Sequence, residues 1–230
     1  MTTTASQLSL STETLEVLKN FASINSNILV KPGNKLTTVS PVKNVMAEAI
    51  VDETFETEFG IWDLNKFLGV VSLFKTPTLS FEDKCVLIEE NGASVQYFFS
   101  DPSLLTTVNR EIKMPETVVS FNWNPKTFSE LLKAAAVMQL PDFCVRNVGD
   151  GVEAVVLDKS DSSSNHYSVD LGDVSWQGNE FEFFFKVENL KILPGEYTVN
   201  ITEKVVSEFI HTNRDIKYYI ALESDSRYNG

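Results

Sequence analysis

Histidine and cysteine, the side chains most often used as metal ligands, nucleophiles and proton carriers near neutral pH, are rare in this chain. Its 230 residues include two of each. Cys85 and Cys144 stand one in each half, with neither CxxC spacing nor a histidine nearby. His166 and His211 both fall in predicted strands. The favoured interpretation is two reduced, buried thiols and two structural histidines, and not a metal site or a catalytic pair.

Other catalytic patterns are also missing from the sequence. It has no glycine-rich phosphate loop, no HExxH and no GxSxG motif. Five acids lie close together, but their spacing is not that of a calcium loop, so a solvated strand face is the better interpretation. These acids are Glu48, Asp52, Glu53, Glu56 and Glu58. We therefore expect no catalytic residue, no bound metal and no cofactor.

Lysine supplies the remaining chemistry, because an exposed ammonium group can bind the phosphates of a nucleic acid. The net charge of −13, from 19 basic and 32 acidic residues, argues against binding of nucleic acid only as an average over the whole surface. A few cations on one face are sufficient to bind phosphates. Lys19 and Lys133 lie opposite the apolar stripes of two predicted helices, and Lys126 shares the side of Lys133. The alternative is that these lysines are simply solvated.

The helix lysines belong to an internal repeat. Glu130-Leu131-Leu132-Lys133 repeats Glu16-Val17-Leu18-Lys19, and each copy leads into a short apolar strand and a glycine-containing turn. Asp63–Leu68 aligns with Glu188–Leu193 at nearly the same separation. Two copies of about half the chain indicate paired domains and not a solenoid of short repeats.

The repeat predicts two similar domains, residues 1–108 and 109–230, with a connector over about residues 101–117. In each domain, two amphipathic helices and several short strands joined by turns are typical of an α+β fold with antiparallel sheets. Ile28–Lys31 and Lys35–Val39 predict a hairpin, and Val187–Leu193 predicts a short second helix in the second domain. The sequence has no secretory signal and no apolar run of about 18 residues, so we expect a cytoplasmic protein without membrane contact.

Five segments carry a further signal through their number and order. They are Leu18–Ser26, Trp62–Gly69, Tyr167–Asp173, Leu193–Tyr197 and Ala221–Asp225. Together they closely resemble the DNA polymerase sliding clamps, or processivity factors, of T-even-type tailed phages. The resemblance covers almost the whole chain and is weakest over Lys75–Ser120 and Asp158–Asn165.

The resemblance implies a non-enzymatic protein with the DNA-clamp fold: a homotrimeric ring with sheets outside and two helices per domain on the inner face. Such a ring encircles duplex DNA without sequence specificity and tethers the DNA polymerase in the cytoplasm of the infected bacterial host. An ATP-dependent clamp loader places it on DNA, and late-transcription factors are further expected partners. The expected DNA-facing residues are Lys19, Lys66, Lys126, Lys133 and Lys191.

Two further surfaces follow from the resemblance. Clamps in general assemble by pairing unlike sheet edges, here Val95–Phe99 of one subunit and His166–Leu171 of the next, although the aromatic residues could instead be internal core. The expected interface residues are Val95, Tyr97, Phe98, Phe99, His166, Tyr167 and Val169. A pocket for partner peptides is expected beside the connector, at Val118, Val119 and Phe121, but the apolar alternation there also fits a half-buried strand.

Another class of protein accounts for the same sequence features. A doubled β-rich domain without catalytic motifs also suits a structural protein of the virion, since fold and function are separable. The oligomeric state separates the two hypotheses, because a clamp forms a closed ring and a virion component remains a monomer or polymerises.

Overall fold

The computed structural model describes residues 6–108, 112–203 and 205–229. The chain divides into two compact units, residues 1–110 and 111–230. The boundary predicted near Asn109 lies outside the described residues. Within the described part, no helix combines the length and apolar character needed to cross a membrane.

The described part of the first unit consists of two α-helices and three antiparallel groups of strands. The strand order β1-β6-β7-β8 forms one sheet, β2 pairs with β5, and β3 pairs with β4. The elements are β1 (Ser6–Leu8), α1 (Thr12–Ile24), β2 (Ile28–Val30), β3 (Gly33–Val39), β4 (Val45–Phe55), β5 (Phe59–Ile61), α2 (Leu64–Val71), β6 (Thr78–Phe81), β7 (Cys85–Glu90) and β8 (Ala93–Phe98).

The hairpin predicted from Ile28–Lys31 and Lys35–Val39 is wrong in its pairing. Both strands exist, but β2 pairs with β5 and β3 pairs with β4. Gly33 has a φ of 115° and already begins β3, so the Pro-Gly-Asn turn redirects the chain to a different partner strand. Turn composition predicted the bend correctly, but it did not determine which strands pair.

Helix α1 is anchored at its N-terminus by a partly buried polar cluster. Ser11 caps the helix by accepting a hydrogen bond from the Thr14 backbone N–H at 3.1 Å. The Glu53 carboxylate on β4 accepts hydrogen bonds from the Ser11 backbone N–H and the Thr14 hydroxyl. Val17, Leu18 and Phe21 are buried along one side of the helix. The cap and the stripe together fix the rotation of α1 against the sheet.

The described part of the second unit contains one α-helix and two antiparallel sheets. One sheet has the order β12-β11-β10-β14-β18, and the strands β13-β9-β15-β16-β17 are neighbours in the other. The elements are β9 (Thr117–Trp123), α3 (Pro125–Met138), β10 (Asp142–Val148), β11 (Gly151–Leu157), β12 (Tyr167–Asp170), β13 (Val174–Trp176), β14 (Phe181–Lys186), β15 (Tyr197–Thr202), β16 (Val206–His211), β17 (Ile216–Ala221) and β18 (Arg227–Tyr228).

The second helix predicted for this unit is wrong. Val187–Asn189 forms a single 3-10 turn without a side-chain cap, and Leu190 and Ile192 are buried beyond it. Seven residues before a proline are too few for a stable helix, and the residue before a proline disfavours helical backbone. The predicted α+β class with antiparallel sheets is confirmed, but two helices per domain hold only for the first unit.

His211 has a structural role in the second unit. It is buried, its Nδ1 accepts a hydrogen bond from the Asn213 backbone N–H at 3.1 Å, and its ring packs edge-on against Tyr197 at 4.9 Å. A Cβ on Gly195 would lie 2.2 Å from His211 Nε2, so only glycine fits there. Burial lowers the pKa of His211, which favours the neutral ring.

The Glu53 cluster predicts a pH-dependent contribution to stability. Burial opposes ionisation of Glu53, but the hydrogen bonds from Thr14 and Ser11 outweigh it, so its pKa in the folded state lies below the ordinary value for glutamate. A depressed carboxyl pKa stabilises the fold above the unfolded pKa, and this contribution is lost as pH falls through the folded pKa. We expect Glu53→Gln to lower the free energy of unfolding by about 1–2 kcal/mol at pH 7.

Urea unfolding measured from pH 7 down to about pH 3 checks this expectation, because the difference between Glu53→Gln and the parent should shrink at the acidic end. Asp52→Asn is the matched control, since Asp52 is an exposed neighbour on the same strand. An equal loss of stability at every pH would show that the ionised carboxylate does not anchor α1.

Candidate nucleic-acid and subunit interfaces

Four of the five predicted DNA-facing lysines lie on α-helices and are exposed. Lys19 is on α1, Lys66 is on α2, and Lys126 and Lys133 are on α3. Among the residues that the structure describes, no carboxylate forms a salt bridge with Lys19, Lys66 or Lys133. These three ammonium groups are therefore available to an external anion.

The start of α3 is set by local sequence. The Asn124 side chain accepts a hydrogen bond from the Lys126 backbone N–H at 2.8 Å, and Pro125 occupies the first helical position. Phe128, Leu131 and Ala135 are buried, so residues on the opposite side of α3 point to solvent. The helix packs against β11 and β12.

Helix α3 also exposes Glu130, an acid that marks the repeat in the sequence and was not predicted as part of the site. Glu130 Oε1 lies 3.9 Å from Lys126 Nζ, and the two side chains are 46% and 83% exposed. Lys133 follows three residues later on the same side of the helix. The exposed side of α3 is therefore mixed in charge, which the spacing of Glu130 to both lysines could have indicated.

Lys191 differs from the other four lysines. It is exposed but lies two residues after the 3-10 turn Val187–Asn189, outside any α-helix. Its match to Lys66 is therefore a match of sequence position and not of secondary structure.

Strand β8, which carries the first predicted interface, is the last strand of its sheet in the described part of the first unit. Phe98 is 63% exposed. The Tyr97 hydroxyl donates to the Asp63 backbone oxygen at 3.2 Å, and Phe99 stacks on Phe59 at 5.1 Å. Strand alternation thus divides the residues predicted for the interface, because Phe98 faces outward whereas Tyr97 and Phe99 pack within their own domain. For Tyr97 and Phe99 this agrees with the alternative interpretation as core residues. Val95, on the side of Tyr97, is half-buried.

Strand β12, which carries the second predicted interface, also ends its sheet in the described part of the second unit. It pairs with β11 on one side, and α3 packs against it. Tyr167 is exposed and Val169 is half-buried. His166 is exposed and directly precedes the strand, so its prediction as a strand residue is wrong by one position. The two segments predicted to pair between subunits thus both occupy sheet edges.

The residues predicted for the peptide pocket do not form an exposed apolar surface together. Val119 and Phe121 are 0% and 3% exposed, because β9 lies between β13 and β15 and directs these side chains into the core. Val118, on the other face of the strand, is half-buried. The strand interpretation of this segment was therefore right for Val119 and Phe121, and Val118 is the one predicted residue left with an accessible side chain.

Both cysteines are free and buried, as predicted from the sequence. Burial raises the pKa of the Cys85 thiol, and it raises that of Cys144 more strongly. Both thiols are therefore protonated and unreactive near neutral pH. Among the described residues, no group of three or more His, Cys, Asp or Glu side chains is placed to hold a metal ion.

Comparison with known proteins identifies the family of the chain that carries these surfaces. A family model described as the gp45 sliding clamp, C terminal, matches residues 120–224, and one described as a DNA polymerase processivity factor matches residues 11–80. The sliding clamps of Vibrio phage KVP40 and Enterobacteria phage T4 are 29% and 28% identical to this chain, over 94% and 96% of it and 100% of each relative. This chain belongs to the phage sliding-clamp family.

The sliding-clamp fold extends beyond the phage proteins. The PCNA of A. fulgidus, solved with a bound C-terminal region of FEN-1, aligns with a TM-score of 0.69 at 16% identity, over 97% of this chain and 99% of that chain. At this identity the likeness shows the fold alone. The resemblance drawn from the sequence is confirmed by the family models and phage relatives, and as a sliding clamp the chain is a non-enzymatic accessory protein of DNA polymerase.

The two family matches do not cover every candidate surface of this sliding clamp equally. They include all five candidate lysines and the edge strand β12, which lie within residues 11–80 and 120–224. The edge strand β8 and Val118 lie between the two matches. The five lysines and β12 therefore lie within the segments that match sliding-clamp family models, and their roles in this chain remain predictions.

Proposed function

We propose that three copies of this clamp close into a ring around duplex DNA and tether the phage replicative DNA polymerase during processive synthesis. The observation that carries the proposal is the exposed lysine at matched positions of α1 and α3, Lys19 and Lys133. An ammonium group contacts phosphate as a hydrated point charge and carries no base readout, which suits a protein that must move along any sequence.

Assembly of the ring is proposed through the two sheet edges. A strand at a sheet edge presents unpaired backbone N–H and C=O groups, which a second chain can satisfy by strand addition. Pairing β8 of one subunit with β12 of the next joins unlike surfaces, an arrangement that repeats from subunit to subunit and forms a ring when the rotation between subunits closes. The exposed side chains of Phe98 and Tyr167 would then be covered by the neighbouring subunit.

Further partners are proposed from the relationship to the phage clamps. An ATP-dependent loader opens the ring and places it on primed DNA in the cytoplasm of the infected host. The polymerase binds through an apolar peptide beside the connector, near Val118. Late-transcription factors use the same clamp.

Polymerase stimulation on primed circular DNA tests the proposed function. We expect the clamp to lengthen the products of the cognate polymerase on circular templates when the loader and ATP are present. Mass measurement in solution should give a closed trimer. Failure to stimulate, together with a monomer or an open polymer, would favour a structural protein of the virion.

Replacing the helix lysines should weaken retention on DNA without affecting assembly. We expect Lys19, Lys66 and Lys133 changed together to Gln to flatten the salt dependence of duplex binding, by about 0.9 in the log–log slope for each lysine that no longer neutralises a phosphate. The control changes three exposed lysines outside the helices to Gln, namely Lys43, Lys84 and Lys113. Equal retention of parent and helix variant at low salt would contradict the assignment.

Aspartate at Phe98, the last residue of β8, and at Phe99, which follows it, should separate assembly from folding. Phe98→Asp places the charge on the exposed side and is expected to give folded monomers, with a free energy of unfolding within about 0.5 kcal/mol of the parent subunit. Phe99→Asp disrupts the stack on Phe59 and should cost about 2–4 kcal/mol. Sedimentation and urea unfolding measure the two effects; a trimer that survives Phe98→Asp excludes this edge from the interface.

The polymerase peptide should depend on Val118. We expect Val118→Asp to weaken binding of the cognate polymerase C-terminal peptide at least about tenfold, because removing an apolar anchor worth about 1.4 kcal/mol has that effect. Val148→Asp, at an exposed valine of the same unit, is the matched control. Equal peptide affinity of both folded variants, measured by calorimetry, would place the pocket elsewhere.

A further inference from the structure

Both matched helices carry an acid three residues before the exposed lysine. Glu16 precedes Lys19 on α1, and Glu130 precedes Lys133 on α3. All four side chains are exposed. The acid is thus repeated together with the lysine in the surface proposed to meet DNA, where a negative charge opposes binding of a polyanion.

Helix geometry places each acid beside its lysine. Residues three or four apart lie on the same side of a helix, and three residues span about 4.5 Å along the axis. On α3 the acid is shared, because Glu130 Oε1 lies 3.9 Å from Lys126 Nζ on one side and Lys133 follows on the other. A phosphate that approaches either lysine therefore also approaches the Glu130 carboxylate.

Neither the helix dipole nor N-terminal capping accounts for these acids. Glu16 and Glu130 lie beyond the first turn, where the interaction of a carboxylate with the helix dipole has faded. The helix N-termini already have their own caps at Ser11 and Asn124. Exposed pairs at this spacing add little stability, and they are screened by salt.

We propose that Glu16 and Glu130 limit how strongly the neighbouring lysines hold the phosphodiester backbone, so that the clamp keeps contact with DNA and still moves along it. This inference rests on the proposed function. Each carboxylate repels an approaching phosphate and offers the lysine an alternative partner when the phosphate leaves. The interaction with any one phosphate is therefore short-lived. While the lysine moves from one phosphate to the next, the carboxylate stabilises its charge in addition to water.

Neutralising both acids tests the proposal. We expect Glu16→Gln with Glu130→Gln to tighten binding of a linear duplex of about 30 base pairs by about threefold per acid at low salt, since a unit charge about 6 Å away has that effect in water. The salt dependence should become steeper as more lysines engage phosphates. Fluorescence anisotropy across a potassium chloride series measures both, and single-molecule tracking of loaded clamps should show slower diffusion.

A matched control removes the same charge elsewhere. Glu89 lies on β7 and Asp150 lies in the turn between β10 and β11, and both are exposed. Glu89→Gln with Asp150→Asn should leave duplex affinity near that of the parent. If this control tightens binding as much as the helix variant, net charge explains the effect and the inference is overturned.

The lysine variant separates failure of this inference from failure of the proposed function. In one outcome, the variant with Lys19, Lys66 and Lys133 changed to Gln binds DNA more weakly, but the acid variant binds and diffuses like the parent. That outcome overturns the inference and leaves the DNA-facing assignment in place. Unchanged binding by both variants overturns both. Circular dichroism confirms that each variant retains its helices.

Discussion

Burial of one apolar stripe on each α-helix is the interaction on which the candidate lysine surface depends. Val17, Leu18 and Phe21 bury one side of α1 against its own domain, and this leaves Lys19 facing solvent. A buried Phe or Leu side chain contributes about 1.5–3 kcal/mol, far more than an exposed lysine gains from any local partner. The apolar stripe therefore decides the direction of the charged side, and the charge does not have to stabilise the fold.

Polar anchors then fix each helix against rotation and sliding. On α1, Glu53 joins the N-cap Ser11 and the first-turn Thr14 to strand β4, so the helix start is tied to the sheet by hydrogen bonds and not only by packing. On α3 the anchor is local, since Asn124 caps the helix and Pro125 begins it. Helices α1 and α3 therefore expose lysines at matched positions of the repeat, although different polar contacts hold the start of each helix.

Much of this arrangement could be predicted from the sequence wherever local residues decide the structure, as at the helix caps Ser11 and Asn124. The pairing of β2 with β5 could not, because it depends on competition between distant strands. Alternation predicts that Phe98 and Phe99 face opposite sides, but not which side is the core. The structure resolves this, because Phe99 stacks on Phe59. The edge positions of β8 and β12 came from the family resemblance and not from the strand pattern.

Charge distribution connects the fold to the proposed mode of DNA contact. With a net charge of −13, the chain repels a polyanion on average. The proposed contact with DNA therefore depends on exposed lysines such as Lys19 and Lys133, which form no salt bridge with any residue that the structure describes. Hydrated ammonium groups at a few positions give weak, exchangeable contacts, whereas a dense array of arginines would form bidentate bonds that resist movement. An acidic protein with sparse helix lysines is thus suited to prolonged association without a fixed position, provided that ring closure and not affinity keeps it on the DNA.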